Sequence, residues 1–347
     1  MRQLSLRSLL GCGEDKVVRA RKGTLEVWDL FCGAGGFSTG AVAAGCHVAF
    51  ACDSCEEAIK THKRNHPSTF HRVCELPCEL PLPTDGRSFH LHGSPPCQLF
   101  STVNHKLRED GDKEHGINLV EWYITYALAS RATSWSMEQV AAREVIEIVK
   151  RMRCKHRDRV SYAIFRFNKL GVPQTRRRLI AGSPHLIAKL LREEEQQNER
   201  SIRSVIAKPR GTHVRGGTSA GGLHTPKDRI PKVGADGNVV WVYKRAAWNE
   251  YCVPLDGLAP TVIGRHALVW ITGNGEGCNR SVLYPSELAA LQTFPPGYKL
   301  PTNKYHAYLQ VGNAVPPRVA ELMMRGECEP LAPLSPSLRR PPGGIEV

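Results

Sequence analysis

Between Leu25 and Pro184, short apolar runs alternate with amphipathic, helix-like stretches, and the runs end in a glycine cluster or an acidic residue. Alternating strand and helix signals build βαβ units, so the chain should fold around a largely parallel α/β sheet. Strands are expected at Leu25–Phe31, His47–Cys52, His90–Gly93, Ser134–Met137, Val160–Arg166 and Leu179–Gly182. Helices are expected at Phe37–Ala44, Glu56–Asn65, Leu119–Ser130 and Ala141–Arg153. With 347 residues, 41% of them hydrophobic, there is material for one large domain or two modest ones. No apolar run approaches the roughly 18–20 residues of a membrane span, and no collagen, heptad or longer repeat persists.

The pattern changes along the chain. Residues 1–24 read as a flexible basic arm. Residues 185–279 open with a Glu/Gln-rich helical run (Leu186–Arg200) and continue as a Gly/Thr/His/Lys-rich stretch, with strands near Val239–Tyr243 and Leu268–Ile271. They should form a small loop-rich domain. Compact signals return from residue 280, with a helix at Pro285–Gln292 and another running to about Met324, so 25–184 and 280–328 should make one domain. The Pro/Ser/Arg tail, 329–347, should be disordered.

Lys and Arg number 47 against 33 acids, a net charge of +14. Twelve of those cations fall between Arg143 and Arg178, interrupted only by Glu144, Glu147 and Asp158. A solvated helix face is the plain reading, and a cleft facing nucleic-acid phosphates is the functional one. The twelve cysteines include Cys52/Cys55 and Cys74/Cys78, but C-x-x-C without a second matching pair is a poor zinc signature. Reduced thiols, no metal, no membrane and an intracellular site (the nucleus in a eukaryote) are expected.

Asp29-Leu30-Phe31-Cys32-Gly33-Ala34-Gly35-Gly36-Phe37 reads as strand, glycine turn and helix. With Asp53 ending the next strand, it suits a nucleoside whose ribose hydroxyls meet a carboxylate. A plain tight turn explains it equally well, and a dinucleotide dehydrogenase is the rival, disfavoured by Ser38 at the third fingerprint position. Cys97 follows Pro95-Pro96 at a strand end. Most single cysteines are structural, but stiff backbone ahead of a thiol at a loop edge suits a nucleophile. Glu138 should sit on the same carboxyl edge of the sheet. Gln174, Arg176 and Arg178 alternate, as three residues on one face of a strand would.

Together these residues resemble the cytosine-C5 DNA methyltransferase family. Asp29–Gly36 is similar to its cofactor motif, Gly93-Ser94-Pro95-Pro96-Cys97-Gln98 to its nucleophile motif, and Met137-Glu138-Gln139-Val140 to its Glu-Asn-Val motif. Gly171–Arg178 resembles the Gln-x-Arg-x-Arg block, and Leu291–Pro295 and Val311–Pro317 the two C-terminal blocks. The resemblance implies a Rossmann-like S-adenosylmethionine-dependent sheet, with a target-recognition domain at 185–279. It implies Cys97 as attacker on C6, Glu138 at N3, and Arg176 beside it, with Gln174 and Arg178 completing the catalytic set. For S-adenosylmethionine it implies Phe31 on the adenine and backbone at Gly33, Gly35 and Gly36. Asp53 would serve the ribose, Glu75 the adenine amino group, and Ser54, Pro95, Asn313 and Val315 the remaining walls. The implied substrate is double-stranded DNA, bound by a monomer, with residues Gln98–Asn118 as a closing loop.

Three positions depart from the family pattern: Gln139 for Asn, with a longer arm that should shift Glu138; Leu99 for Pro; and Glu75 for Asp. Two other readings stay open at this level. One is the tRNA-modifying branch of the same fold, whose Cys-Phe-Thr signature is replaced here by Phe-Pro-Pro-Gly-Tyr. The other is a degenerate paralogue that only binds DNA.

Overall fold

The computed structural model describes residues 24–80, 83, 87–96, 110–206, 238–242, 251–264, 268–272 and 279–327. The expectations for the N-terminal arm, the tail, Cys97, Leu99 and the first part of the closing loop lie outside the described residues.

A seven-stranded sheet runs in the order β3-β2-β1-β4-β5-β7-β6. Its strands are β1 (Glu26–Leu30), β2 (His47–Asp53), β3 (Phe70–Val73), β4 (Phe89–Gly93), β5 (Ser134–Gln139), β6 (Ser161–Arg166) and β7 (Arg177–Gly182). β3, β2, β1, β4 and β5 pair in parallel, and β7 is antiparallel to both β5 and β6. The chain leaves β1 toward β2 and β3, then crosses back to lay β4 on β1's other side. That reversal opens a crevice beyond the carboxyl ends of β1 and β4, the usual ligand site of open α/β sheets.

β1 is buried throughout, and its period of two divides the core. Trp28 and Leu30 face a layer with Leu91, Tyr123 and Val149, whereas Val27 faces Phe37, Leu186 and Val319. Helices α3 (Asp110–Ala129) and α4 (Arg143–Lys155) cover the first face. Helix α4 buries Val145, Ile148, Val149 and Met152 at the i, i+3, i+4, i+7 positions of an amphipathic stripe. On the second face lie α1 (Gly36–Ala43), α5 (Pro184–Gln196) and α8 (Pro317–Met324). Helix α2 (Glu56–Asn65) packs beside β2 and β3.

Four strands form a second, antiparallel sheet in the order β11-β10-β8-β9: β8 (Asn238–Val242), β9 (Tyr251–Pro254), β10 (Val269–Thr272) and β11 (Asn279–Val282). Its core joins Leu268 and Trp270 to helices α6 (Pro285–Leu291) and α7 (Lys304–Asn313) through Leu288, Leu291 and Val311.

Several expectations shift. Helix α5, read with the small domain, packs on the large sheet, because its buried Leu186, Ile187 and Leu190 meet Val319 and Met323. Residue 280 lies inside β11, so the small sheet extends to Val282. Residues 110–118, expected as loop, are the first turns of α3. Several cations of the basic stretch are engaged within the fold. Arg143 pairs with Glu147, Arg151 with Glu121 and Lys169 with Glu199, while Arg176 is 1% exposed.

Helix α1 starts hard against the C-terminal segment: a Cβ on Gly36 would stand 2.1 Å from the Val315 carbonyl oxygen. Replacing Gly36 by Ala should lower stability by about 1–3 kcal/mol through overpacking. Urea unfolding should show this as a lower midpoint with an unchanged slope.

Candidate active site

The crevice between β1 and β4 holds a cavity of about 260 Å³. The turn after β1 shapes its mouth. Phe31 adopts a left-handed φ of 56°, costing a non-glycine residue about 1–3 kcal/mol. The ring of Phe31 lines the cavity and meets Trp122 edge-on at 6.4 Å. Asp53, at the end of β2, lies on the same wall as Ser54 and Cys55. Its carboxylate accepts the backbone N–H of Gly33 on Oδ2 (2.9 Å) and of Cys55 on Oδ1 (2.8 Å). Burial raises its pKa above the ordinary carboxylate value. Deeper, Asp29 accepts the Ser38 hydroxyl at 2.6 Å, and burial lifts its pKa to about 7.

On the β4–β5 side the walls are His92, Ser94, Pro95, Pro96 and Glu138, and the far side is closed by Leu309, Gln310, Asn313, Ala314 and Val315. Glu138, next to last in β5, is almost fully buried. Its Oε1 lies 3.1 Å from Arg178 Nε and 3.9 Å from an Arg176 nitrogen. The next residue, Gln139, donates its side-chain amide to the Pro95 carbonyl (3.0 Å) and accepts the Val140 N–H on its own oxygen (2.7 Å). A buried carboxyl group, flanked by cations and facing the loop that leads to Cys97, can hold or deliver a proton to a heterocycle.

The family model described as C-5 cytosine-specific DNA methylase matches residues 25–326. The chain belongs to that family. The Type II methyltransferase M.HgiDI of Herpetosiphon aurantiacus is 22% identical over 315 residues, spanning 85% of this chain and 92% of its own. The Type II methyltransferase M1.HphI of Haemophilus parahaemolyticus is 26% identical over 346 residues, spanning 86% and 85%. Among solved structures, a prophage-encoded E. coli protein superimposes with a TM-score of 0.58 at 20% identity, covering 88% of this chain and 98% of its own. S. pombe Dnmt2 methyltransferase superimposes with 0.54 at 13%, covering 87% and 97%. These two likenesses concern the fold, which is that of the S-adenosylmethionine-dependent methyltransferases. The family match makes the chain a cytosine-5 DNA methyltransferase and favours neither the RNA-modifying nor the binding-only alternative.

The cavity fits the cofactor class this family uses. It offers an aromatic face in Phe31, a backbone-anchored carboxylate in Asp53, and Gln310, a buried amide with neither polar atom hydrogen-bonded. A polar ligand would satisfy that amide. Of the residues expected around the cofactor, Phe31, Gly33, Asp53, Ser54, Pro95, Asn313 and Val315 line the cavity. Gly35, Gly36 and Glu75 do not. Gly35, with φ at 85°, backs onto His62, Gly36 meets Val315, and Glu75 is exposed beyond β3.

Gln174 and Arg176 were expected to share a strand face with Arg178, but β7 begins only at Arg177. Gln174 instead donates to Leu291 O (3.0 Å) and Gln292 Oε1 (2.8 Å), and accepts the Val262 N–H (3.0 Å). Arg176 donates to the carbonyls of Val262, Gly312 and Ala314. Arg178, not Arg176, is the cation nearest Glu138. Sequence reasoning also passed over His92, Leu309 and Gln310, although the two histidines in the otherwise apolar strand FHLHG were a visible signal. Among the described residues, Cys52, Cys55, Cys74 and Cys78 are free thiols, no cluster of three or more His, Cys, Asp or Glu could hold a metal ion, and no helix is long and apolar enough to cross a membrane.

Because Asp29 holds its proton up to about pH 7 when folded and only to about 3.9 when unfolded, the native state binds more protons between those values. Stability should therefore fall with rising pH across that window, by up to about 4 kcal/mol. Asp29→Asn should remove that component, so urea titrations at pH 4 and pH 7.5 should show the wild type losing ground to the variant.

Proposed function

We propose that this protein methylates C5 of a cytosine everted from double-stranded DNA, through a transient bond between Cys97 and C6 of the base. Cytosine C5 is a weak nucleophile. The Cys97 thiolate adds to C6, and the C5–C6 π electrons shift into the ring as an enamine. Glu138 manages the proton at N3 while negative charge develops there, and Arg178 holds the carboxyl group in place. S-adenosylmethionine, when bound, supplies the electrophilic methyl group that the activated C5 takes. Loss of the C5 proton then drives out the Cys97 sulfur, and 5-methylcytosine is released. Phe31, Asp53, Ser54, Asn313, Val315 and Gln310 would hold the cofactor. Eversion costs a few kcal/mol of lost stacking and pairing, so contacts from the small sheet and the residues after Cys97 would have to compensate. The enzyme acts as a monomer in this reading, in the nucleus where the cell has one.

The observation that carries this reading is the placement of Glu138, buried and ion-paired on the wall that Pro95 and Pro96 also form. Incubation with duplex DNA bearing 5-fluorocytosine should give a protein–DNA adduct that survives a denaturing gel and disappears in Cys97→Ser. Glu138→Gln should lower the methylation rate about 10²–10⁴-fold. Tritium from labelled cofactor appearing on tRNA and not on duplex DNA would overturn the assignment.

A further inference from the structure

Beneath the reacting end of the cavity, five alternating serines and histidines from β4, β5 and the loop after β4 touch in sequence. Ser134 Oγ lies 2.8 Å from His90 Nδ1, and His90 Nε2 lies 2.9 Å from Ser136 Oγ. Ser136 Oγ lies 2.8 Å from His92 Nδ1, and His92 Nε2 lies 3.0 Å from Ser94 Oγ. Ser134, His90, Ser136 and His92 are at most 1% exposed, while Ser94 is partly open and lines the cavity. Phe37 stacks flat on His92 at 3.5 Å, fixing the plane of its ring.

Hydrogen counting restricts how such a row can be wired. Burial pushes both imidazole pKa values down, His90 to about 3, so each ring carries one N–H. Ser136 has one proton for two imidazole neighbours. With both rings neutral, either every donor points the same way along the row, or both rings donate to Ser136, whose own buried proton would then need an acceptor beyond the row. If the donors ran toward Ser134, that buried hydroxyl would need an acceptor of its own beyond the row. If they run toward Ser94, the last proton emerges at the cavity, where a ligand or water can take it.

We propose that the row is a single directional chain in which His90 and His92 are both Nε2–H tautomers, and that it aims the Ser94 hydroxyl as a donor at an oxygen of the bound methyl donor. Ser94 is then a binding residue, and His92 and Ser136 act through it as positioning residues. The ligand half of this statement rests on the functional reading above, whereas the tautomer half does not.

Long-range ¹⁵N–¹H spectra of the imidazole rings in the wild-type protein test the wiring without any substitution. Both histidines should show a protonated Nε2 and an accepting Nδ1. Opposite tautomers, or two Nδ1–H rings, would overturn the chain. Calorimetry with S-adenosylhomocysteine tests the role without requiring turnover. Ser94→Ala should weaken binding about fivefold, the size of one hydrogen bond. Ser136→Ala, which does not touch the cavity, should weaken it nearly as much, and Ser136→Thr should restore it. The Ser94→Ala/Ser136→Ala double variant should bind no worse than Ser94→Ala alone. Additive losses, or full affinity in Ser136→Ala, would overturn the role. Failure to trap a DNA adduct would sink the methylation reading and leave the tautomer result standing.

Discussion

A buried guanidinium holds the two halves of this fold together. Removing an arginine from water costs several kcal/mol, and three backbone carbonyls, with Glu138 nearby, receive Arg176: Val262 after the small sheet's β9, and Gly312 and Ala314 at the end of α7. Gln174 and Gln292 extend the same knot, since the Gln292 amide reaches Val311 and Ala314 while Gln174 grips Gln292 and Val262. Truncating any of these side chains would strand partners that no water reaches. This polar knot, together with the apolar packing of α8 on α1 and the large sheet, fixes where the C-terminal segment lies.

Once that segment is fixed, the cavity follows. Val315 is pressed onto the glycine that starts α1, and Asn313 and Gln310 face Phe31 and Asp53 across the opening. The same block is tied again at its margin. Asn65 exchanges two hydrogen bonds with the Lys299 backbone, and the Tyr298 hydroxyl donates to the Ala34 carbonyl in the glycine turn. A wall more than 250 residues away in sequence is thus built as firmly as one contributed by the neighbouring strand. Cofactor affinity should accordingly respond to damage in the knot, which lies outside the cavity.

Local chemistry made the first half of the sheet legible. The glycine turn, the apolar run of β1 and the acidic residues at or next to the ends of β2 and β5 follow from nearest-neighbour rules, and the structure places them as those rules require. What stayed hidden depends on partners distant in sequence. β3 is a four-residue edge strand with an exposed Val73, too short to show a period. Helix α7 buries only Ala307, Gln310, Val311 and Gly312, which no amphipathic stripe announces. The alternation Gln174, Arg176, Arg178 looked like one strand face. Only the approach of Val262 and Leu291 decides that the first two residues turn inward as fasteners while the third reaches Glu138.

Gln139 shows the same lesson at a single position. Its extra methylene relative to asparagine suggested a displaced Glu138, since the two are adjacent on β5. In a strand, however, adjacent side chains point to opposite faces, so a longer arm at 139 has no need to crowd 138. The structure spends the added length on reach. The amide nitrogen spans to Pro95 while the oxygen caps the chain at Val140, and Glu138 keeps its own contact with Arg178. Pro95 is itself stiff, so one hydrogen bond to its carbonyl constrains the backbone that follows β4. The longer side chain therefore reaches Pro95 while the Glu138–Arg178 contact stays intact.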